Sequence, residues 1–159
     1  MIVSDAGPII IFARIRLLSL LHQVTGSLII PDAVHHEIVV NKGGMPGATA
    51  VAKTAWIRRA RVADRRQSMS CRARCTRESA KRSRLAKERG AQLLIDESRG
   101  RRVARELGID VIGTLRILAE AKRLGQIKVV RPIIIQMQSK GYRFERTLIL
   151  RFLERVGEA

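Results

Sequence analysis

The first 62 residues alternate between short apolar runs and stretches whose apolar positions recur three and four residues apart. The short runs predict strands at residues 1–5, 26–31 and, more weakly, 56–62. The helical periodicity predicts one helix or two short helices within 7–24, and further helices at 33–41 and 48–55. Asp32 is expected to cap the second of these helical segments.

The pattern disappears between residues 64 and 84 and returns at Leu85. From there it predicts strands at 91–97 and 109–113, and helices ending at Gly90 and spanning 98–108, 114–125, 127–141 and 143–157. Ser98 and Thr114 are expected to cap two of these helices. Strands that alternate with helices indicate a parallel sheet with helices on both faces. We therefore expect an α/β fold of three layers, α/β/α, in one domain over residues 1–159.

Composition narrows the class of protein. Apolar residues make up 46% of the chain but aromatic residues only 3%, so the core must consist of Ile, Leu, Val and Ala. The sequence has neither an apolar run of membrane-spanning length nor the pattern of a signal peptide at its start. We therefore expect a cytoplasmic protein without a membrane partner.

The net charge of +17 suggests a polyanionic partner such as a nucleic acid. The charge is uneven, because the residues from Arg58 to Arg84 hold eleven basic and two acidic side chains. About half of the net positive charge thus lies in the window that lacks an apolar pattern. The argument from charge depends on that window.

The same window contains Cys71 and Cys75, and three interpretations of it remain open. A zinc site is the weakest of them, because the two cysteines lack a second pair of ligands at zinc-finger spacing. The arginines could neutralise nucleic-acid phosphates, although no aromatic residues are interleaved for base stacking. A solvated or disordered linker is the physical default for this composition.

Acidic side chains follow the predicted strands. Asp5 ends the first strand, Asp96 ends the strand in "LLID", and Glu37 lies on the helix after the second strand. The carboxyl ends of parallel strands meet at one edge of the sheet, where Thr114 is also expected. Clustered carboxylates favour Mg²⁺ or Mn²⁺, and such ions promote phosphodiester hydrolysis. Any single one of these acids could equally be a helix cap or a turn residue.

Four segments carry a resemblance to a known family: "IVSDAGPIIIFARI", "LIIPDAVHHEIV", "LLIDESRGRRVARELGIDVIGTLRILAEAKRLG" and "VRPIIIQMQSKGYRF". In this order and spacing they resemble PIN-like domains. More narrowly, they resemble the small prokaryotic PIN-like proteins grouped with VapC-type toxins of toxin–antitoxin pairs. The likeness covers about residues 1–60 and 85–150.

The resemblance implies a Mg²⁺- or Mn²⁺-dependent endoribonuclease, a hydrolase that cuts single-stranded RNA and is inhibited by an antitoxin protein. It also implies a homodimer. The metal-binding acids of the family correspond to Asp5, Glu37 and Asp96, and Thr114 matches a small hydroxyl residue after the last core strand. Asp5 and Asp96 would hold the ion, while Glu37 would help hold it or orient the attacking water.

The chain departs from the family in the helix before "LLIDE", which normally carries further acids. Those acids correspond here to Ser79 and Lys81, and a lysine would repel a cation. Two functional hypotheses therefore stand: an endoribonuclease impaired by the loss of one acidic ligand, and an inactive PIN-like module that binds RNA or an antitoxin. A poorly folding pseudogene product is a third, weaker interpretation.

The departure also has a possible genetic explanation. One permitted back-translation of "CTRESAKRSRL", regrouped one base earlier, encodes L-H-P-G-E-C-E-A-I-A-L, which matches the family helix in register. Our hypothesis is that about residues 65–84 are an out-of-frame reading between two compensating frameshifts. Resequencing the locus tests it, and a clean read without an insertion or deletion relative to close homologues would reject it.

Overall fold

The computed structural model describes residues 1–41, 44, 46–62 and 77–159. In this part of the chain, five parallel strands form one sheet in the order β3-β2-β1-β4-β5. The strands are β1 (Ile2–Ser4), β2 (Leu28–Pro31), β3 (Ile57–Ala60), β4 (Gln92–Leu94) and β5 (Val111–Ile112). The parallel sheet is confirmed, including the weakly predicted third strand.

Helices connect the strands and follow the last of them. They are α1 (Ala6–Arg14), α2 (Leu18–Thr25), α3 (Asp32–His36), α4 (Pro46–Ala52), α5 (Arg77–Glu88), α6 (Ser98–Glu106), α7 (Thr114–Arg123), α8 (Arg131–Ser139) and α9 (Arg146–Arg155). A π-helical turn, Glu37–Asn41, continues α3. None of the described helices is long and apolar enough to cross a membrane.

The apolar side chains divide between the two faces of the sheet. Leu94 packs on one face, in a cluster with residues of α1, α2 and α7. Its neighbours Leu93 and Ile95 point to the other face and pack with residues of α5 and α6. Because successive strand residues point to opposite faces, a strand covered by helices on both sides must be apolar throughout. The three-layer α/β/α fold is thus confirmed.

Three predicted helix caps are wrong. The predicted residues are the first residues of their helices, Asp32 of α3, Ser98 of α6 and Thr114 of α7. The cap positions are held by the preceding residues, Pro31, Glu97 and Gly113. Two of the predicted caps have other partners: Asp32 binds Arg59 at 3.0 Å, and Thr114 donates hydrogen bonds to Asp96.

The window 64–84 is only partly as expected. Its C-terminal part is helical, because α5 begins at Arg77. Although the window lacks an apolar pattern, this helix has a buried face, since Arg82 and Ser83 are only 8% and 3% exposed. Cys71, Cys75 and the rest of residues 63–76 lie outside the described residues.

Candidate active site

The carboxyl ends of the two central strands bring two acids to the same edge of the sheet. Asp5 directly follows β1, and Asp96 lies two residues beyond β4. These strands are parallel neighbours, and the backbone N–H of Asp5 donates to the carbonyl oxygen of Leu94 at 2.9 Å. The sheet register therefore places both carboxylates where the sequence predicted an acidic edge.

Hydrogen bonds from two other elements hold the carboxylate of Asp96. The backbone N–H of Thr114 donates to Oδ1 at 2.8 Å, and the hydroxyl of Thr114 donates to Oδ2. The phenol of Tyr142 also donates to Oδ2. Thr114 is fully buried at the start of α7. The prediction that Thr114 lies beside Asp96 agrees with this geometry.

Tyr142 is a site residue that the sequence analysis did not identify. It lies between α8 and α9, and its ring packs edge-on against Phe144 with ring centroids 5.1 Å apart. Burial and the negative charge of Asp96 both raise the pKa of the Tyr142 phenol. The phenol therefore stays protonated and remains a donor to Asp96. Its only signal in the sequence is its place in the segment "KGYRF".

The backbone at Gly113 passes close to Asp96. A Cβ atom there would lie 2.8 Å from Oδ1 of Asp96 and 2.5 Å from Nη1 of Arg101. A side chain at position 113 would therefore require the ends of the Asp96 and Arg101 side chains to shift. Arg101 itself donates to the carbonyl oxygen of Ile95 at 3.0 Å. Burial, and then the positive charge of Arg105, lower the pKa of Arg101, while Asp96 opposes this effect.

A cationic side chain covers the other acid. Oδ1 of Asp5 accepts the N–H of Ala6 at 2.7 Å, which caps α1, and it also accepts a hydrogen bond from Nη1 of Arg82. The side chains of Asp5 and Arg82 are only 13% and 10% exposed. Lys81, one of the two positions at which the family resemblance implies an acid, is exposed. Arg82, rather than Lys81, is thus the basic residue that α5 brings to the site.

Glu37 is the first residue of the π-helical turn and is half-buried. Within the described ranges, no three or more His, Cys, Asp or Glu side chains form a group that could hold a metal ion. The structure therefore joins Asp5 and Asp96 but does not bring Glu37 into a metal-binding group with them. The assignment of Glu37 as a ligand stays a prediction.

Whether a divalent cation fits depends on the lone pairs of the carboxylates. Carboxylate oxygens are the donors that Mg²⁺ and Mn²⁺ prefer, and each oxygen has about two lone-pair positions. Oδ2 of Asp96 already accepts two hydroxyl groups, and Oδ1 of Asp5 accepts both an amide and a guanidinium. The donor atoms are of the right kind, but these two oxygens are saturated and a guanidinium lies against Asp5, so an ion would have to displace Arg82 to bind Oδ1 of Asp5.

We expect Tyr142→Phe to lower the free energy of unfolding by about 1.5–3 kcal/mol, the range for a hydrogen bond to a charged group. The substitution removes the phenol that donates to Asp96 but keeps the ring that packs against Phe144. Urea denaturation of both proteins measures the difference. An unchanged midpoint and slope would show that the hydrogen bond from Tyr142 to Asp96 contributes nothing.

No curated protein and no solved structure matches the chain significantly. A family model for the PIN domain matches residues 1–158, almost the whole length. The match spans the five parallel strands and both acids at their carboxyl edge. With this match and a fold of three α/β/α layers, the chain belongs to the PIN-domain family.

Proposed function

We propose that this PIN domain is a Mg²⁺- or Mn²⁺-dependent endoribonuclease for single-stranded RNA, with impaired activity, and that it belongs to a toxin–antitoxin pair. PIN domains are generally metal-dependent nucleases. The observation that carries the proposal is the pair of acids, Asp5 and Asp96, at the ends of adjacent parallel strands. An antitoxin protein and a second copy of the chain are the further partners proposed.

The residues around Asp96 suit a reactive site for a phosphodiester. Thr114 and Tyr142 fix the orientation of its carboxylate, so the group needs no reordering when substrate binds. Arg101 places a positive charge beside it, which would attract a phosphate. The chain has few aromatic residues, so binding through the RNA backbone is favoured over base stacking.

The ion pair between Arg82 and Asp5 favours a second candidate function. The buried guanidinium of Arg82 already neutralises the carboxylate of Asp5. This carboxylate therefore attracts a divalent cation less strongly and is less able to act on a substrate. The chain would then be a non-catalytic PIN-like module that binds RNA or an antitoxin. The enzyme must bind and cut RNA, whereas the module binds RNA or an antitoxin and cuts nothing.

A cleavage assay separates the two candidates. The wild type, Asp96→Asn and Glu97→Gln are incubated with fluorescent single-stranded RNA, with Mg²⁺, with Mn²⁺ or with a chelator, and RNA binding is measured by anisotropy. We expect slow ion-dependent cleavage by the wild type and background cleavage by Asp96→Asn. Glu97→Gln is the matched control, because Glu97 is the exposed neighbour of Asp96 and should be dispensable. Binding without cleavage would reject the enzyme and support the second candidate.

A further inference from the structure

The position of Arg82 brings a permanent cation into the acidic edge. The side chain comes from α5 and reaches Asp5 from a position 77 residues along the chain. Both partners are nearly buried, so water screens the pair only weakly. A guanidinium is also the one basic side chain that does not lose its proton in proteins.

We propose that Arg82 is an internal cation that occupies the place of a divalent ion at Asp5 and weakens the binding of such an ion by the folded chain. This inference rests on the proposed function, because it concerns the regulation of the same site. The acids that the family resemblance implies in this helix would help to bind the ion, whereas Arg82 would oppose its binding.

The electrostatics of the edge support this role. Two carboxylates at the ends of neighbouring strands repel each other unless a positive charge lies between or beside them. Arg82 supplies that charge at Asp5, as Arg101 does beside Asp96, without any ion from solution. A divalent ion at Oδ1 of Asp5 would have to displace the guanidinium and would then repel it at close range.

The inference predicts that removal of this one positive charge creates cation affinity. Arg82→Gln removes the charge at the site, and Lys81→Gln removes the same charge from the adjacent, exposed position of the same helix. Arg82→Lys keeps a cation near Asp5. The first variant should bind a divalent ion, whereas the other two should behave as the wild type.

Binding of Mn²⁺ alone, without RNA, is the direct test. Electron paramagnetic resonance of free Mn²⁺ gives the dissociation constant for each variant. We expect Arg82→Gln to bind one Mn²⁺ at least about tenfold more tightly than the wild type, within the effect that groups around a metal site have on affinity. A further Asp96→Asn substitution should remove that gain. Equal affinities of Arg82→Gln and the wild type would overturn the proposal.

Thermal unfolding gives a second measurement, because an ion that binds only the folded state raises the melting temperature. Mn²⁺ should raise the melting temperature of Arg82→Gln but not that of the wild type. If Arg82→Gln does not fold, Arg82→Met replaces it, because methionine also removes the charge and its apolar side chain of similar length suits a buried position. Tight Mn²⁺ binding by the wild type that Asp96→Asn abolishes would refute the proposal whatever the variants do.

The test of the inference can succeed or fail independently of the test of the proposed enzyme activity. A chain that gains Mn²⁺ affinity in Arg82→Gln but never cuts RNA supports the inference and rejects the enzyme. If instead the wild type cuts RNA with Mn²⁺ and binds the ion through Asp96 as tightly as Arg82→Gln binds it, the enzyme is supported and the inference is rejected.

Discussion

Asp5→Asn is expected to lower the free energy of unfolding by about 3–5 kcal/mol, the cost of removing one partner from a buried ion pair. The guanidinium of Arg82 would lose the carboxylate that it binds inside the protein. Asparagine keeps a side-chain oxygen that can accept the N–H of Ala6, so the cap of α1 is retained and the loss reports mainly on the charge. Urea denaturation measures it.

Asp32→Asn is the matched control. Asp32 also binds an arginine, Arg59 at 3.0 Å, but its side chain is 42% exposed. Exposed ion pairs contribute about 0–1 kcal/mol, so this variant should be nearly as stable as the wild type. Similar losses in Asp5→Asn and Asp32→Asn would mean that burial does not strengthen the pair between Asp5 and Arg82.

This stability loss affects how nuclease assays should be designed. An inactive Asp5→Asn protein would not show a catalytic role for Asp5, because the substitution is expected to unfold part of the population. Asp96 is the better position for the test, since neutral donors rather than a buried cation hold its carboxylate. The proposed cleavage assay therefore uses Asp96→Asn.

The second large effect is expected in α5. The triple variant Ser79→Glu, Arg82→Ala and Ser83→Ile should cut single-stranded RNA about 10–100-fold faster than the wild type, the usual effect of groups that support a metal site. Positions 79 and 82 are three residues apart and share one face of a helix. Because Arg82 reaches Asp5, helix periodicity predicts that an acid introduced at position 79 would face the same edge.

The control places the acid at the other candidate position. Lys81→Glu, combined with Arg82→Ala and Ser83→Ile, adds a carboxylate at a residue that is exposed. It should leave cleavage well below that of the variant with Ser79→Glu. Equal rates would show that the position of the acid does not matter and that the substitutions at Arg82 and Ser83 account for any gain.

The burial of α5 bears on the out-of-frame hypothesis. Positions 82 and 83 are buried, yet the chain has arginine and serine there. The alternative frame would encode alanine and isoleucine at these positions, which suit a buried helix face better. This agreement supports the hypothesis for the end of the segment. Resequencing of the locus remains its test, since residues 65–76 lie outside the part of the chain that the structure describes.

Much of the architecture could be read from the chain alone. The apolar runs that include Leu28 and Leu93 predicted strands because a short, continuous apolar run is typical of a strand that is buried on both faces. Helix starts were less accurate, since Asp32 and Thr114 look like caps but use their side chains for distant partners. Local propensity cannot reveal a partner that is far away in the sequence.

The sequence by itself determined the parallel α/β fold and the acidic edge with Asp5, Asp96 and Thr114, because strand ends in a parallel sheet meet by geometry. Only the tertiary structure decided that Arg82 binds Asp5 and that Tyr142 binds Asp96. Both contacts join segments at least 46 residues apart. They depend on the direction in which a packed helix or loop presents its side chains, which the order of residues does not specify.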